Sequence, residues 1–337
     1  MTILSPLALS ADVGIVIVNY KTAGLTIECL RSLDNERTLI RFNVIVVDND
    51  SQDDSFQIIS SAVISEGWDD WVSIQESGFN GGFSFGNNVA IRQFLKQKNI
   101  PGFIYLLNPD TVIKLGAVTI LASFLLAHPK VGIVGSQIED EKGEAMYSSF
   151  KFHSCLTELN RGFSLGLLTK LLTPWLSSNE IPVHAKRTDW VSGASMMIRT
   201  SVLESIGGLD EAYFMYYEET DFCLKAARSN WECWYIPKSK VVHFVGQSTG
   251  ITNSGMEKRM PQYWFDSRRR YFLKNHGVLY TVLADFFWLL GFASWKLRNI
   301  IQRKTDNHPP ALFRDFLLNS VFMKGIKVSP EKSNIKD

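Results

Sequence analysis

The 337-residue sequence has no Cys-x-x-Cys spacing among its four cysteines, Cys29, Cys155, Cys223 and Cys233. That argues against a zinc cluster or a disulfide framework and fits a reducing cytosol. Charge of one sign is also lacking. The formal net charge is +1, so the chain has no general field for a polyanion, and no nucleic-acid partner is expected. The opening MTILSPLALSADVG lacks the basic start and long apolar run of a secretory leader, and none is expected. Repeats and low-complexity tracts are missing, as are a Walker loop and a dinucleotide fingerprint. The two commonest phosphate-binding signatures are thereby excluded.

What is present is an alternating rhythm. VGIVIV (13–18) precedes a helix expected near 22–34, NVIVVD (43–48) one near 53–65, WVSIQ (71–75) one near 85–98, and FIYLL (103–107) one near 115–127, with VGIVG (131–135) following. Apolar β-branched runs without alternation suit parallel strands covered on both faces, and repeated β-α units imply an α/β doubly wound, mostly parallel sheet. Residues 140–187 lose the rhythm and read as a flap or part of an acceptor site. It resumes in DWVSGASMMIR (189–199), GGLDEAYFMYYEETDFCLKAARS (207–229) and CWYIPKSKVVHF (233–244). Helices are expected near 262–275, 279–303 and 309–322, and the closing SPEKSNIKD reads as a frayed tail. The length exceeds one small core, so a large domain (12–250), a helical C-terminal extension (251–325) and a flexible tail (326–337) are expected.

Several stretches carry candidate chemistry. Pro109 in NPD (108–110) must end its strand, since it cannot donate to a ladder, leaving Asn108 and Asp110 at the strand exit. In an open parallel sheet ligands bind there. Asp48 in VVDNDSQDDS ends another strand and could accept from a base N–H, while Ser51 or Asp53 could simply cap the next helix. NGGFSFGNN (80–88) is a Gly-rich loop entering a helix, which permits close backbone approach and favours anions, although a plain turn explains two glycines equally well. Asp110 and His243 are candidate ligands for Mg²⁺ or Mn²⁺; a turn aspartate and a packing histidine are the plain alternatives. In YYEETDF (216–222), helical spacing puts Glu218 and Asp221 on one face and Glu219 elsewhere. One of these acids could be a general base, or all three could favour a helix start electrostatically. RRR (268–270) is a phosphate clamp or a solvated helix face. VLYTVLADFFWLLGFASW (278–295) is slightly short for a bilayer span and is interrupted by Asp285. It suits an interfacial helix or one packed on the core or another subunit.

The ordered set VGIVIVNYKT, VVDNDSQDDS, NGGFSFGNN, LLNPDT, GASMMIR, GGLDEAYFMYYEETDFCLKA and VVHFVGQST resembles the family 2 glycosyltransferases of GT-A fold, particularly their rhamnosyltransferase-like branch. The resemblance covers roughly residues 12–250. It implies a nucleotide-sugar donor site at Asp48, Asn19, Asn80, Gly82, Phe83, Asn108 and Arg268, with Asp48 on the base. Acceptor contacts would fall at Trp190 and Gly193, and metal contacts at Asp110 and His243. Many members carry Glu-Asp where this chain has Glu218-Glu219, which places the base at Glu219 and leaves Asp221 as a rival. Asn108 replaces the first acid of the family's metal motif. The resemblance thus implies a metal-dependent, inverting, cytoplasmic transferase, peripheral on the membrane's inner face if helix 279–303 lies there. Its donor would be dTDP-L-rhamnose, or a UDP-sugar in the galactofuranosyl or hexosyl alternative, and its acceptor a surface polysaccharide or lipid-linked glycan. A non-catalytic nucleotide-sugar-binding protein and a nucleotidyltransferase are the rival classes; the acids at 218–221 argue against the first, the long match around them against the second.

Overall fold

The computed structural model describes residues 12–176, 180–244, 259–306 and 308–335. The first half is β1 (Val13–Asn19), α1 (Ala23–Asp34), β2 (Phe42–Asp48), α2 (Ser55–Ser65), β3 (Val72–Glu76), α3 (Gly82–Leu95), β4 (Phe103–Leu107), β5 (Thr111–Ile113), α4 (Ala117–Ala127) and β6 (Val131–Glu139). The apolar runs are indeed strands buried on both faces: β4 is buried throughout and β1 nearly so. After β6 come the short strands β7 (Ala145–Met146) and β8 (Ser149–Phe150), helices α5 (Cys155–Phe163) and α6 (Gly166–Leu172), and strands β9 (Lys186–Thr188) and β10 (Trp190–Val191). The chain then forms β11 (Ser195–Arg199), α7 (Thr200–Ile206), α8 (Glu218–Arg228), β12 (Glu232–His243), α9 (Gln262–Ile301), α10 (Leu312–Asn319) and α11 (Val321–Lys324).

The main sheet runs β3-β2-β1-β4-β11-β6-β12-β5. Strands β1 to β4 pair in parallel, β11 lies antiparallel between β4 and β6, and β12 is parallel to β6. The irregular segment 140–187 supplies α5, α6 and β8, which pairs with β10 in a ribbon apart from the main sheet.

The expected helices near 262–275 and 279–303 are both present: α9 is two helical runs that meet at Gly277, whose φ of +79° and ψ of 178° break the helix. One expectation for the C-terminal part needs correction. The described part of the closing segment, up to Ile335, is not a frayed tail: Ile335 is buried, Gly208 N–H donates to the Ser333 carbonyl, and Lys332 N–H donates to Asp210. One apolar anchor and the backbone bonds beside it dock this segment. The C-terminal helices also join the domain through buried ion pairs, Arg270 with Asp210 and Arg268 with Glu158.

Candidate active site

The strand order reverses between β1 and β4, so the loops after β1, β2 and β4 open on one crevice at the carboxyl edge, where open α/β sheets take ligands. A cleft of about 480 Å³ lies there. Asn80, Gly82, Phe83, Asn108, Asp110, Gly193, Glu218, Glu219 and His243 line it. These sequence candidates are therefore brought together from loops and helix starts far apart in the chain.

Asp48 and Asn19 are not in the wall. Asp48 is buried and accepts from Asn19 Nδ2 (2.7 Å), Ser51 N–H (3.0 Å) and Ser51 Oγ (2.7 Å). Its carboxylate ties the ends of β1 and β2 together, and the neighbours Tyr20 and Asn49 face the cleft in their place. Asn49 Nδ2 reaches Asn80 Oδ1 (3.0 Å) and the Gly82 carbonyl (3.2 Å), which shapes the Gly-rich loop. Gly82 is obligatory there. It sits at φ +80°, and a Cβ would stand 1.9 Å from the Phe214 carbonyl oxygen. The same carbonyl accepts from Phe83 N–H (2.9 Å), so the Gly-rich loop and the segment leading into α8 are held against each other.

Helix α8 begins at Glu218, directly after Tyr216 and Tyr217, both at φ +69°. Consecutive left-handed non-glycine residues cost on the order of 1–3 kcal/mol each, and such strain persists where the surroundings enforce it. Here the Tyr217 ring is clamped by His153, Trp264 and Tyr271 at 4.8–6.2 Å. The helix thus presents its first two residues end-on to the cleft, and Glu218 and Glu219 both face it. This corrects the expected grouping of Glu218 with Asp221. A helix whose tip points at a site offers consecutive residues of its first turn; Asp221, further along, lies on its flank. Both glutamates keep one buried carboxylate oxygen without a protein partner. Burial and the neighbouring Glu219 charge push the Glu218 carboxyl well above the usual range. Burial lifts Glu219 to about 7, against hydrogen bonds from its own N–H and that of Gly193. Two close carboxyls cannot both ionise cheaply. Glu218 holds the proton, and Glu219 is the carboxylate available near neutral pH.

Also lining the cleft, His243 Nε2 and Asp110 Oδ1 are hydrogen-bonded at 3.1 Å. Adjacent ligands of an octahedral cation at ~2.1 Å are separated by ~3.0 Å, so a small divalent ion could replace the shared proton with little movement of either side chain. Among the described residues no group of three or more His, Cys, Asp or Glu side chains gathers for a metal. Two protein ligands suit a hard cation whose remaining shell is water and phosphate oxygen. The VGQST part of the motif after His243 lies outside the described residues.

Three candidates sit elsewhere. Arg268 is buried, with Glu158 and Asp285 each at 2.5 Å, so its charge is already matched and it is no phosphate clamp. Asp221 accepts from Lys274 Nζ (2.7 Å), Asn275 Nδ2 (2.6 Å) and Tyr213 OH (3.2 Å), which leaves it no role as a base in the cleft. Trp190 stacks on Phe150 and borders an adjoining cavity formed with α5 and α6.

A sequence model of the family described as "Glycosyltransferase like family 2" matches residues 11–262. The chain belongs to this glycosyltransferase family. Its fold is the expected GT-A fold. Over 311 residues the transferase is 28% identical to the low-salt glycan biosynthesis hexosyltransferase Agl10 of Haloferax volcanii, covering 90% of this chain and 89% of that one. It is 26% identical over 230 residues to the N-acetylglucosaminyl-diphospho-decaprenol L-rhamnosyltransferase of Mycobacterium tuberculosis, covering 65% and 71%. Among solved structures it resembles GalNAc-T7 with UDP, GalNAc and Mn²⁺ (TM-score 0.58, 12% identity), covering 91% of this chain and 56% of that longer one. It also resembles the mannosyltransferase PcManGT of Pyrobaculum calidifontis with GDP-Man and Mn²⁺ (TM-score 0.53, 15% identity), covering 95% and 82%.

Sequence reasoning missed an aromatic wall of the glycosyltransferase cleft: Phe214, Tyr216 and Tyr263, with ring centroids 5.5 and 5.9 Å from Tyr263. The run YFMYY carried the signal for two of them. Tyr263 comes from α9, which sequence reasoning assigned to a separate extension.

Proposed function

We propose that this glycosyltransferase transfers a hexose or 6-deoxyhexose with inversion from a nucleoside-diphosphate donor to a lipid-linked glycan acceptor on the cytoplasmic side of a membrane, with dTDP-L-rhamnose as the leading donor. The observation that carries the reading is the glutamate pair lining one cleft with Asp110 and His243. Glu219 takes the proton of the acceptor hydroxyl. The acceptor oxygen forms a bond to the anomeric carbon as the bond to the diphosphate breaks, and the diphosphate leaves with the electron pair. With Glu219 engaged as the base, the acceptor oxygen itself displaces the diphosphate, and one direct displacement inverts the anomeric centre. Asp110 and His243 would hold a Mg²⁺ or Mn²⁺ ion, which when bound neutralises charge on the departing diphosphate. Gly82, Asn80 and Phe83 form the donor wall, and Gly193 with the aromatic residues Phe214, Tyr216 and Tyr263 forms the sugar-facing side.

The donor and acceptor classes are supported by the names of the relatives, a hexosyltransferase and a lipid-diphosphate L-rhamnosyltransferase. A UDP-hexose donor is the second reading, favoured by the longer match to the hexosyltransferase. The test is a panel of labelled dTDP-rhamnose, UDP-galactofuranose and UDP- and GDP-hexoses, offered with purified chain and isolated membranes. Label from dTDP-rhamnose entering lipid-extractable glycan supports the first reading and label from a UDP-hexose the second. Donor binding without transfer from any of them would refute the catalytic assignment.

A further inference from the structure

Beyond Gly277, α9 has two unlike faces. One is buried: Asp285 pairs with Arg268, the Trp288 ring stacks 3.7 Å from that of Phe316, and a Cβ on Gly291 would stand 2.6 Å from Phe163 N. The opposite face is solvent-exposed and apolar. Leu279, Leu283, Phe286, Leu290, Leu297 and Ile300 recur along it with 41–75% of their surface exposed. Between Gly277 and Trp295 the only charged residue is Asp285, and it is buried. From Val278 to Ile301 the ridge runs roughly 35 Å at 1.5 Å per residue. Exposed apolar patches of this extent mark interaction sites. The ridge has a companion: Arg298 donates to the Phe163 carbonyl at the end of α5, immediately before α6, whose Leu167 and Leu171 are 84% and 72% exposed.

Charge identifies what covers the ridge. Residues 261–328 hold eleven Lys and Arg against four Asp and Glu in a chain whose total is +1; Arg268, Arg270 and Lys274 are matched by Glu158, Asp210 and Asp221 of the preceding domain, and the other eight cations still outnumber the segment's own acids. The near-neutral whole therefore conceals a basic C-terminal segment and an acidic remainder. Arg303, Lys304, Arg314, Lys324 and Lys327 are exposed in that segment.

We propose that the apolar ridge of α9, which runs on to the exposed Arg303 and Lys304 at the helix end, lies flat on an anionic lipid bilayer. Apolar residues enter the headgroup boundary while the cations meet lipid phosphates, as in interfacial helices. The helix does not cross the bilayer, because its other face is packed along its length against α5 and α10. The 4-3 spacing of the exposed residues also matches a helix-pairing seam. However, the flanking positions Tyr280, Val282, Phe287 and Leu289 carry no charges to select a partner helix, and two copies would bring the exposed Arg303 and Lys304 of each together. The inference rests on the lipid-linked acceptor reading only for its purpose. Vesicle binding is measured without any sugar, so either can fail alone.

The experiment is flotation of the purified full chain with vesicles of phosphatidylcholine containing phosphatidylglycerol, beside vesicles of phosphatidylcholine alone. We expect the chain to float with the anionic vesicles at low salt and to be released by about 0.5 M NaCl, where surface charge is screened within a few ångströms. Each basic residue near an anionic surface is worth roughly a fivefold change in partitioning, so Arg303→Glu with Lys304→Glu should lower it at least about 25-fold. Phe286→Glu with Leu290→Glu should abolish it, with unchanged thermal melting showing that the helix still packs. Should that variant fail to fold, the exposed charge pair decides alone. No flotation, or equal flotation on neutral vesicles, overturns the proposal. So does a dimer by light scattering that buries the ridge and is lost in the Phe286/Leu290 variant.

Discussion

Replacing Glu219 with Gln should damage catalysis and stabilise the fold together. The carboxyl is lifted from 4.5 to about 7 by burial. The folded chain therefore binds more protons than the unfolded chain between those pH values, and stability falls as pH rises through that window. A lift of that size corresponds to about 3 kcal/mol at pH 8. Glu219 is half-buried, and water entering from the cleft screens its charge, so about 1–3 kcal/mol is the expected gain on neutralising it. Gln keeps the shape and the acceptor oxygen for Gly193 N–H. Differential scanning calorimetry at pH 8 should show Glu219→Gln melting above wild type by several degrees. The difference should vanish at pH 4, where both states carry a neutral Glu. Transfer at pH 8 should fall roughly 10²–10⁴-fold in kcat with donor KM little changed. Lower stability at pH 8, or the same shift at both pH values, would refute the placement of an ionised, poorly solvated carboxylate at this position.

The other substitutions separate chemistry from support. Asp110→Ala should abolish transfer and EDTA should inhibit the wild type, with Mn²⁺ or Mg²⁺ restoring it; full activity in chelator would remove the metal. Asp221→Asn should act on stability rather than on kcat, because Lys274 keeps Asp210 and Glu331 while the charge-assisted bond to Asp221 is lost, a cost of about 1–3 kcal/mol; urea denaturation and kinetics in the cold distinguish the two effects. Arg268→Ala should cost more, about 3–5 kcal/mol, by stranding the buried Glu158 and Asp285, with donor KM unchanged at temperatures where the variant is folded.

The sheet was legible because strands buried on both faces must be continuous apolar runs, and those runs recur strand after strand from Val13 to Leu107. The strand-end residues Asn108 and Asp110 were legible for a related reason, since Pro109 ends its strand by its own chemistry. Side-chain direction was not. Asp48 and Asn19 look like ligand contacts in one dimension, yet in space they satisfy each other, and nothing local distinguishes a carboxylate facing a cleft from one facing Ser51. Spacing also grouped Glu218 with Asp221, because periodicity describes a helix flank and says nothing about a helix seen end-on. The segment 140–187 was opaque because short helices and two-residue strands impose no period. The docked tail was missed because one buried isoleucine among charged residues is no signal.

Asp221 shows how the C-terminal segment supports the candidate site from behind as well as lining it. Its carboxylate binds Lys274 and Asn275 of α9, and Lys274 also binds Asp210 in the loop before α8. Those contacts fix the flank of α8, while Tyr217 packed on Trp264 and Tyr271 fixes its first turn. Two left-handed tyrosines would otherwise relax and swing Glu218 and Glu219 out of the cleft. The same loop is tied by the Phe214 carbonyl to Phe83 in the donor wall, and α9 itself adds Tyr263 beside the glutamates. The glutamates, the Gly-rich loop and the part of α9 before Gly277 are therefore held together by direct contacts, so a substitution at Trp264 or Tyr271 should disturb the cleft without touching it.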